Sequence, residues 1–254
     1  VIPLARAGLR WLTLRLAPMA RGSGIPQVIA ATSIPASIAS SGLVSLRQAL
    51  WKIPLTAVAL LAGASVGREG PSVQVGAAAM LAWGRFWQER IGVKLEFRAN
   101  ELIAAGAAGG LAAAFNTPLA GVVFAIEELG RGAAVRWNRL ALSGVLASGF
   151  IALAIAGNNP YFHAAAAAGF AQGSWGWTLA SGVLNGAMGG LFAATMVRGV
   201  TGLAPARWRP WLQRHPVRVA FLCGLVVAVL GCLTGGDTYG TGYEQTAALL
   251  NGHP

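Results

Sequence analysis

Gly67-Arg68-Glu69-Gly70-Pro71 lies between two apolar runs, residues 53–66 and 73–83. Pro71 suits the first turn of a helix, where its missing N–H costs nothing. Gly70 lets the backbone turn and approach a ligand closely. The pentapeptide therefore predicts a helix beginning at about residue 71, with Glu69 at its mouth. A helix N-terminus carries free N–H groups and a partial positive charge, and it attracts anions. The nearest anion here is the chain's own Glu69 carboxylate. Inside a membrane this arrangement suggests a gate, filled by the charged carboxylate and vacated when it is protonated. A loop carboxylate that is paired with Arg68, or solvated, fits the pentapeptide alone equally well.

Composition decides the setting. The chain is 55% hydrophobic and 11% charged, with a mean hydropathy of +0.59. Average globular chains carry about 25% charged residues, so this is an integral membrane protein. Its 35 glycines suit membrane helices that pack closely through small residues, because apolar burial gives no drive between helices in lipid. The net charge of +11 raises nucleic acid as a partner. The basic residues cluster between apolar runs, however, which is the pattern of cytoplasmic loops; no nucleic acid is expected.

The cysteines, Cys223 and Cys232, sit nine residues apart. On one helix they are about 13 Å apart by the usual rise, too far for a disulfide. They read as small apolar core residues. His163, His215 and His253 are scattered and have no metal-ligand spacing; no metal or cofactor is implied. No signal peptide is visible, and the chain reads as a piece of something longer.

Residues 1–21 place Arg6, Arg10, Arg15 and Arg21 among Leu, Trp and Ala, as in the inner end of a membrane helix or an interfacial amphipathic one. Gly22-Ser23-Gly24-Ile25-Pro26 follows. Ser at a helix start accepts a hydrogen bond from free backbone N–H groups. The logic of residues 67–71 is repeated: glycine, polar side chain, glycine, then a proline opening a helix. Broken helices whose N-termini meet near the bilayer midplane are how transporters build anion sites.

Residues 44–66 read as one spanning helix, with Pro54 inside it. After the Pro71 helix comes a charged segment holding Arg85, Glu89, Arg90, Lys94, Glu96 and Arg98. Residues 102–126 carry no charge, but Asn116-Thr117-Pro118 interrupts them. Pro118 disfavours helix at Thr117, so two half-helices are expected, about 101–115 and 118–128. Glu127 and Glu128 close the segment, followed by Arg131, Arg136 and Arg139. Alone, this reads best as interfacial carboxylates balanced by arginines.

The remainder alternates. Residues 140–157, 174–197 and 219–236 are apolar, and 198–218 are strongly basic. Residues 158–173 and 237–254 hold no Lys or Arg. The positive-inside rule then puts 131–139 and 198–218 in the cytoplasm and the other two loops outside.

Three stretches in order, Gly22-Ser23-Gly24-Ile25-Pro26, Gly67-Arg68-Glu69-Gly70-Pro71 and residues 106–129 (GAAGGLAAAFNTPLAGVVFAIEEL), resemble the CLC family of chloride channels and chloride/proton exchangers. The resemblance implies an all-α polytopic membrane fold of tilted and broken helices in two inverted repeats. Residues 1–254 would be part of one such transmembrane domain, with 1–157 approximately the first repeat and 174–254 the start of the second. It also implies a homodimer with a separate anion pathway in each subunit.

By that resemblance Ser23 coordinates the central anion through its hydroxyl, and backbone N–H groups around Gly24–Pro26 and Gly70–Ser72 supply the helix-end field. Glu69 matches the gating glutamate and Glu128 the inner proton-transfer glutamate of the exchangers; Glu127 is given no relay role. Protonation of Glu69 removes its attraction to the helix ends, so it swings out and an anion enters. A site tuned for anions binds carboxylate and halide competitively, so its occupancy depends on pH.

Two departures from the family pattern stand out. A later Gly-x-Phe-x-Pro filter segment is absent, and so is the late tyrosine of the inner gate, since Tyr239 and Tyr243 come too early. Residues 1–254 by themselves are therefore not expected to transport. The cytoplasmic nucleotide-binding pair of domains found in some members is also not in this stretch. The implied function is chloride transport, by exchange with protons, across a bacterial plasma membrane. Bromide and nitrate are the other candidate anions. The alternatives are a passive voltage- or pH-gated chloride channel and a non-transporting structural subunit. A membrane-embedded enzyme fits poorly, because the single Asp is in a loop and no His lies in an apolar span.

Overall fold

A computed structural model describes residues 1–34, 42–92, 98–129, 139–157, 162 and 175–251. Those residues are helical, without strands. Helix α1 (Ile2–Leu16) leads through a short 3-10 turn (Pro18–Ala20) to α2 (Ile25–Ser33). Then come α3 (Leu46–Leu61), α4 (Glu69–Arg90) and α5 (Ala99–Phe115). Next are α6 (Pro118–Phe124), which runs into a π turn (Ala125–Leu129), and α7 (Arg139–Ala156). The second half holds α8 (Trp175–Leu203), α9 (Arg209–Arg214), α10 (Pro216–Leu233) and α11 (Tyr243–Leu250).

The core is α4 packed on α5, and small residues make it possible. At Gly106 a Cβ would lie 2.6 Å from the Cβ of Met80, and at Gly76 it would collide with the Gly106 carbonyl. Gly110 is equally close to the backbone of Ser72. This is packing by close backbone approach, as the glycine content predicts. Val28, Val73, Ala77, Leu81, Ile103 and Ala104 fill the buried centre around it.

The expected break at residues 116–118 is present. Asn116 caps α5 in the left-handed conformation (φ 56°), and Pro118 opens α6. The Asn116 side chain donates to the Gly157 carbonyl at 2.7 Å, tying the break to the end of α7. Two spans predicted from the apolar runs, α8 over Trp175–Gly199 and α10, are long and apolar enough to cross a bilayer. Over Trp175–Gly199 no described residue of α8 is buried, and its backbone departs from helical geometry at Gly199. Helix α10 lies on α1, with Gly224 against Pro3 and Arg6.

Four expectations need correction. The helix of residues 44–66 covers only Leu46–Leu61, about 24 Å at the usual rise and short of a hydrocarbon core about 30 Å thick. Ala62 caps it, and Gly63 follows at positive φ in a turn. Helix α4 begins at Glu69 rather than at residue 71. Pro71 is still accommodated, since first-turn N–H groups lack helical partners. Ser23 is not the cap of α2; that cap is Gly24, with no side-chain cap bond. Finally, Cys223 and Cys232 do share α10 as free thiols, but both are exposed. The buried stripe of α10 runs through Gly224 and Gly231 instead, and the cysteines flank it.

His163, His253, Lys94, Glu96, Arg131 and Arg136 lie outside the described residues, as does the side chain of Arg139. The proposed balancing of Glu127 and Glu128 by those arginines falls there too. His215 donates from Nδ1 to the Trp211 carbonyl, 3.1 Å away, and stacks on the Trp211 ring.

Candidate anion pathway

The two glycine-flanked motifs meet. Gly24 is buried with φ +115°, a conformation that L side chains rarely adopt. A Cβ there would sit 2.6 Å from the Gly70 carbonyl oxygen and 2.9 Å from the Cβ of Gln74. In return, a Cβ on Gly70 would lie 2.6 Å from the Ser23 carbonyl oxygen and collide with its hydroxyl. The start of α2 is thus pressed against the start of α4, and neither contact tolerates a side chain. Since the first N–H groups of a helix have no helical acceptor, two positive helix ends converge here. Pro26 and Pro71 bring no N–H, and the Ser72 N–H already bonds to the Arg68 carbonyl at 3.0 Å.

Ser23 and Glu69 line one cavity of about 730 Å³ beside this junction. Ser23 is exposed to it, and its hydroxyl has no hydrogen bond among the described residues. Because it does not cap α2, the hydroxyl is free to donate to a ligand. Glu69 is half-buried on the first turn of α4. Its carboxylate folds back over Gly67, where a Cβ would strike it. Among the described residues no ion pair joins Glu69 to Arg68. Gly22, Gly67, Gly70, Ile25 and Pro71 also line the cavity; Arg68 lines a separate one with Tyr239 and Thr241.

Two buried polar residues hold the junction. Lys52 of α3 is 3% exposed and donates from Nζ to the carbonyls of Ala20 (2.7 Å) and Gly22 (2.6 Å). It thereby holds the backbone on either side of Arg21 and brings a positive charge to the cavity wall. Gln74 of α4 is fully buried and donates to the carbonyls of Leu43 (2.9 Å) and Met19 (3.3 Å). Neither residue belongs to the glycine-flanked motifs. An ionisable residue inside a membrane helix is a functional candidate by default, and Lys52 within an apolar run carried that signal. Gln74 carried none.

Glu127 and Glu128 sit exposed on the π turn that follows α6, and Glu128 does not line the Ser23–Glu69 cavity. The turn packs against α2, the helix whose mouth is at Ser23.

Known proteins extend this picture. Residues 6–254 match the voltage gated chloride channel family. An H(+)/Cl(-) exchange transporter of Vibrio cholerae is 44% identical over 124 residues, 47% of this chain and 24% of that protein. A protein of the same description from Vibrio vulnificus is 41% identical over 125 residues, again 47% of this chain and 24% of the relative. The one from Citrobacter koseri is 31% identical over 198 residues, 74% of this chain and 38% of the relative. The matches thus span about a quarter to two-fifths of these curated relatives. With a match over nearly its whole length, the chain belongs to the voltage gated chloride channel family.

Proposed function

We propose that the protein carries chloride across a bacterial plasma membrane in exchange for protons, with Glu69 as gate and outer proton carrier and Glu128 as inner proton-transfer group. The observation that carries this reading is the sharing of one cavity by Ser23 and Glu69 at the junction of two helix starts. A charged Glu69 competes with a halide for the same helix-end field. A protonated one loses that attraction and yields the site. The names of the relatives, proton/chloride exchange transporters, favour exchange over passive conduction. The family is one of ion-transport proteins, so the membrane-enzyme alternative falls away.

The repeat reading also belongs to this proposal. Gly22-Ser23-Gly24 and Gly240-Thr241-Gly242 each place a hydroxyl residue between two glycines of positive φ (+75° and +115°; +81° and +76°). Each leads directly into a helix, α2 or α11. The helices that precede them, α1 and α10, pack on each other. This supports a first repeat over residues 1–157 and a second beginning near 174. The homodimer, bromide and nitrate as further anions, and the cytoplasmic side of 198–218 remain part of the same reading.

The test is proton movement into liposomes holding the full-length protein under an imposed chloride gradient, beside Glu69→Gln and Glu128→Gln. Uphill proton movement abolished by both substitutions is expected. Chloride flux without proton movement in the unaltered protein would make it a channel. Absence of flux and of anion binding would leave a structural subunit.

A further inference from the structure

The cavity that holds Ser23 and Glu69 carries more positive charge than one carboxylate balances. Arg6 and Arg10 reach it from one face of α1, a turn apart, and Arg21 reaches it from the segment after α1. Arg10 and Arg21 are near enough for their charges to interact. Arg6 Nε is buried with no hydrogen-bond partner. Lys52 is engaged by two carbonyls, and among the described lining residues Glu69 is the single acid. Three arginines lining one cavity, with no acid on α1 or α10 to share them, repel each other unless an anion sits between them.

We propose that Arg6, Arg10 and Arg21 form an oxyanion station in this cavity, taking a phosphate-class anion ahead of the chloride site. Guanidinium forks match the paired oxygens of an oxyanion, whereas a halide offers them no direction to match. Ala220 and Cys223, from the first two turns of α10, line the same cavity. The basic segment before α10 is read as cytoplasmic, so the station opens inward. Held by the guanidinium forks, a phosphate-class anion stays in the cavity beside Ser23 and Glu69 instead of moving on. It therefore regulates rather than crosses: its occupancy slows chloride passage. That consequence rests on the chloride-pathway reading; the binding does not.

The test uses the full-length protein in phospholipid-free detergent, titrated calorimetrically with inorganic phosphate. Saturable binding is expected, competed by sulfate and weakened about tenfold or more by Arg10→Gln, as for loss of a charge-assisted contact. Arg10→Lys, which keeps the charge but not the fork, should fall between. Arg21→Gln, on an exposed residue, repeats the comparison without risk to folding and should weaken binding likewise. No saturable binding, or binding in both Gln variants as tight as in the unaltered protein, overturns the station. A parallel arm follows chloride efflux from proteoliposomes with and without phosphate. If chloride never moves yet the binding differences hold, the pathway reading fails and the station stands. If exchange proceeds through Glu69 but phosphate does not bind, the reverse holds. Phosphate displaced by phosphatidylglycerol in mixed micelles identifies a lipid headgroup as the natural occupant; phosphate retained identifies the free ion.

Discussion

At the scale of single residues the candidate pathway depends on what is missing as much as on what is present. Gly24 and Gly70 let two backbones touch, and Ser23 reaches the cavity because Gly24, not Ser23, caps α2. Gly24→Ala would set a Cβ against the Gly70 carbonyl in a strained backbone region, a loss of about 2 kcal/mol or more. A thermal melt in detergent should show the midpoint falling. Gly8→Ala, with nothing within 4 Å of the new Cβ, should leave the midpoint unchanged or raise it slightly. Lys52 is the second test. Lys52→Met keeps most of the bulk but strands the carbonyls of Ala20 and Gly22, at about 1–3 kcal/mol for each buried group left unpaired. Loss of the charge should also shrink the thermal stabilisation conferred by chloride. Stabilisation equal to that of the unaltered protein would show that Lys52 only braces the fold.

At the scale of elements the arrangement is governed by glycine contacts between helices. Helices α4 and α5 cross where Gly76, Gly106 and Gly110 leave room for backbone against backbone. Gly106→Val would force them apart, and overpacking of this kind costs typically 1–3 kcal/mol and occasionally more. Because α4 carries Glu69 at its start, chloride binding measured by calorimetry should weaken along with stability. Binding that persists unchanged at full strength would mean that the junction does not depend on this crossing. The break between α5 and α6 was legible in Asn116-Thr117-Pro118, since its causes are local: a left-handed cap and a proline. The end of α3 at Leu61 was not legible, because the apolar run continues to Val66 while the chain has already turned at Gly63.

At the scale of the whole molecule, the alternation of apolar and basic segments predicts sidedness. With Cys223 and Cys232 replaced, Arg207→Cys should react with an impermeant maleimide only from the cytoplasmic side, and Thr241→Cys only from outside. Reaction of both from the same side would remove the inward opening of the arginine cavity. The uncovered length of α8 fits a helix that meets lipid or other protein rather than this part of the chain, since apolar surface is stable against hydrocarbon.

Local chemistry was determined by the sequence alone: the membrane setting, the helix breaks, the two glycine-flanked motifs, and Glu69 at a helix mouth. Those properties follow from composition and from residues within a few positions of one another. Tertiary structure decided which distant pieces meet. Residues 22–24 come against 70–74, Lys52 reaches back to hold the carbonyls of Ala20 and Gly22, and Arg6, Arg10 and Arg21 gather in the cavity of Ser23 and Glu69. Beyond the shared site that the resemblance implied for Ser23 and Glu69, no local pattern announces such contacts, because they depend on how glycine-lined helices pack, and packing is a property of pairs of surfaces rather than of either stretch alone.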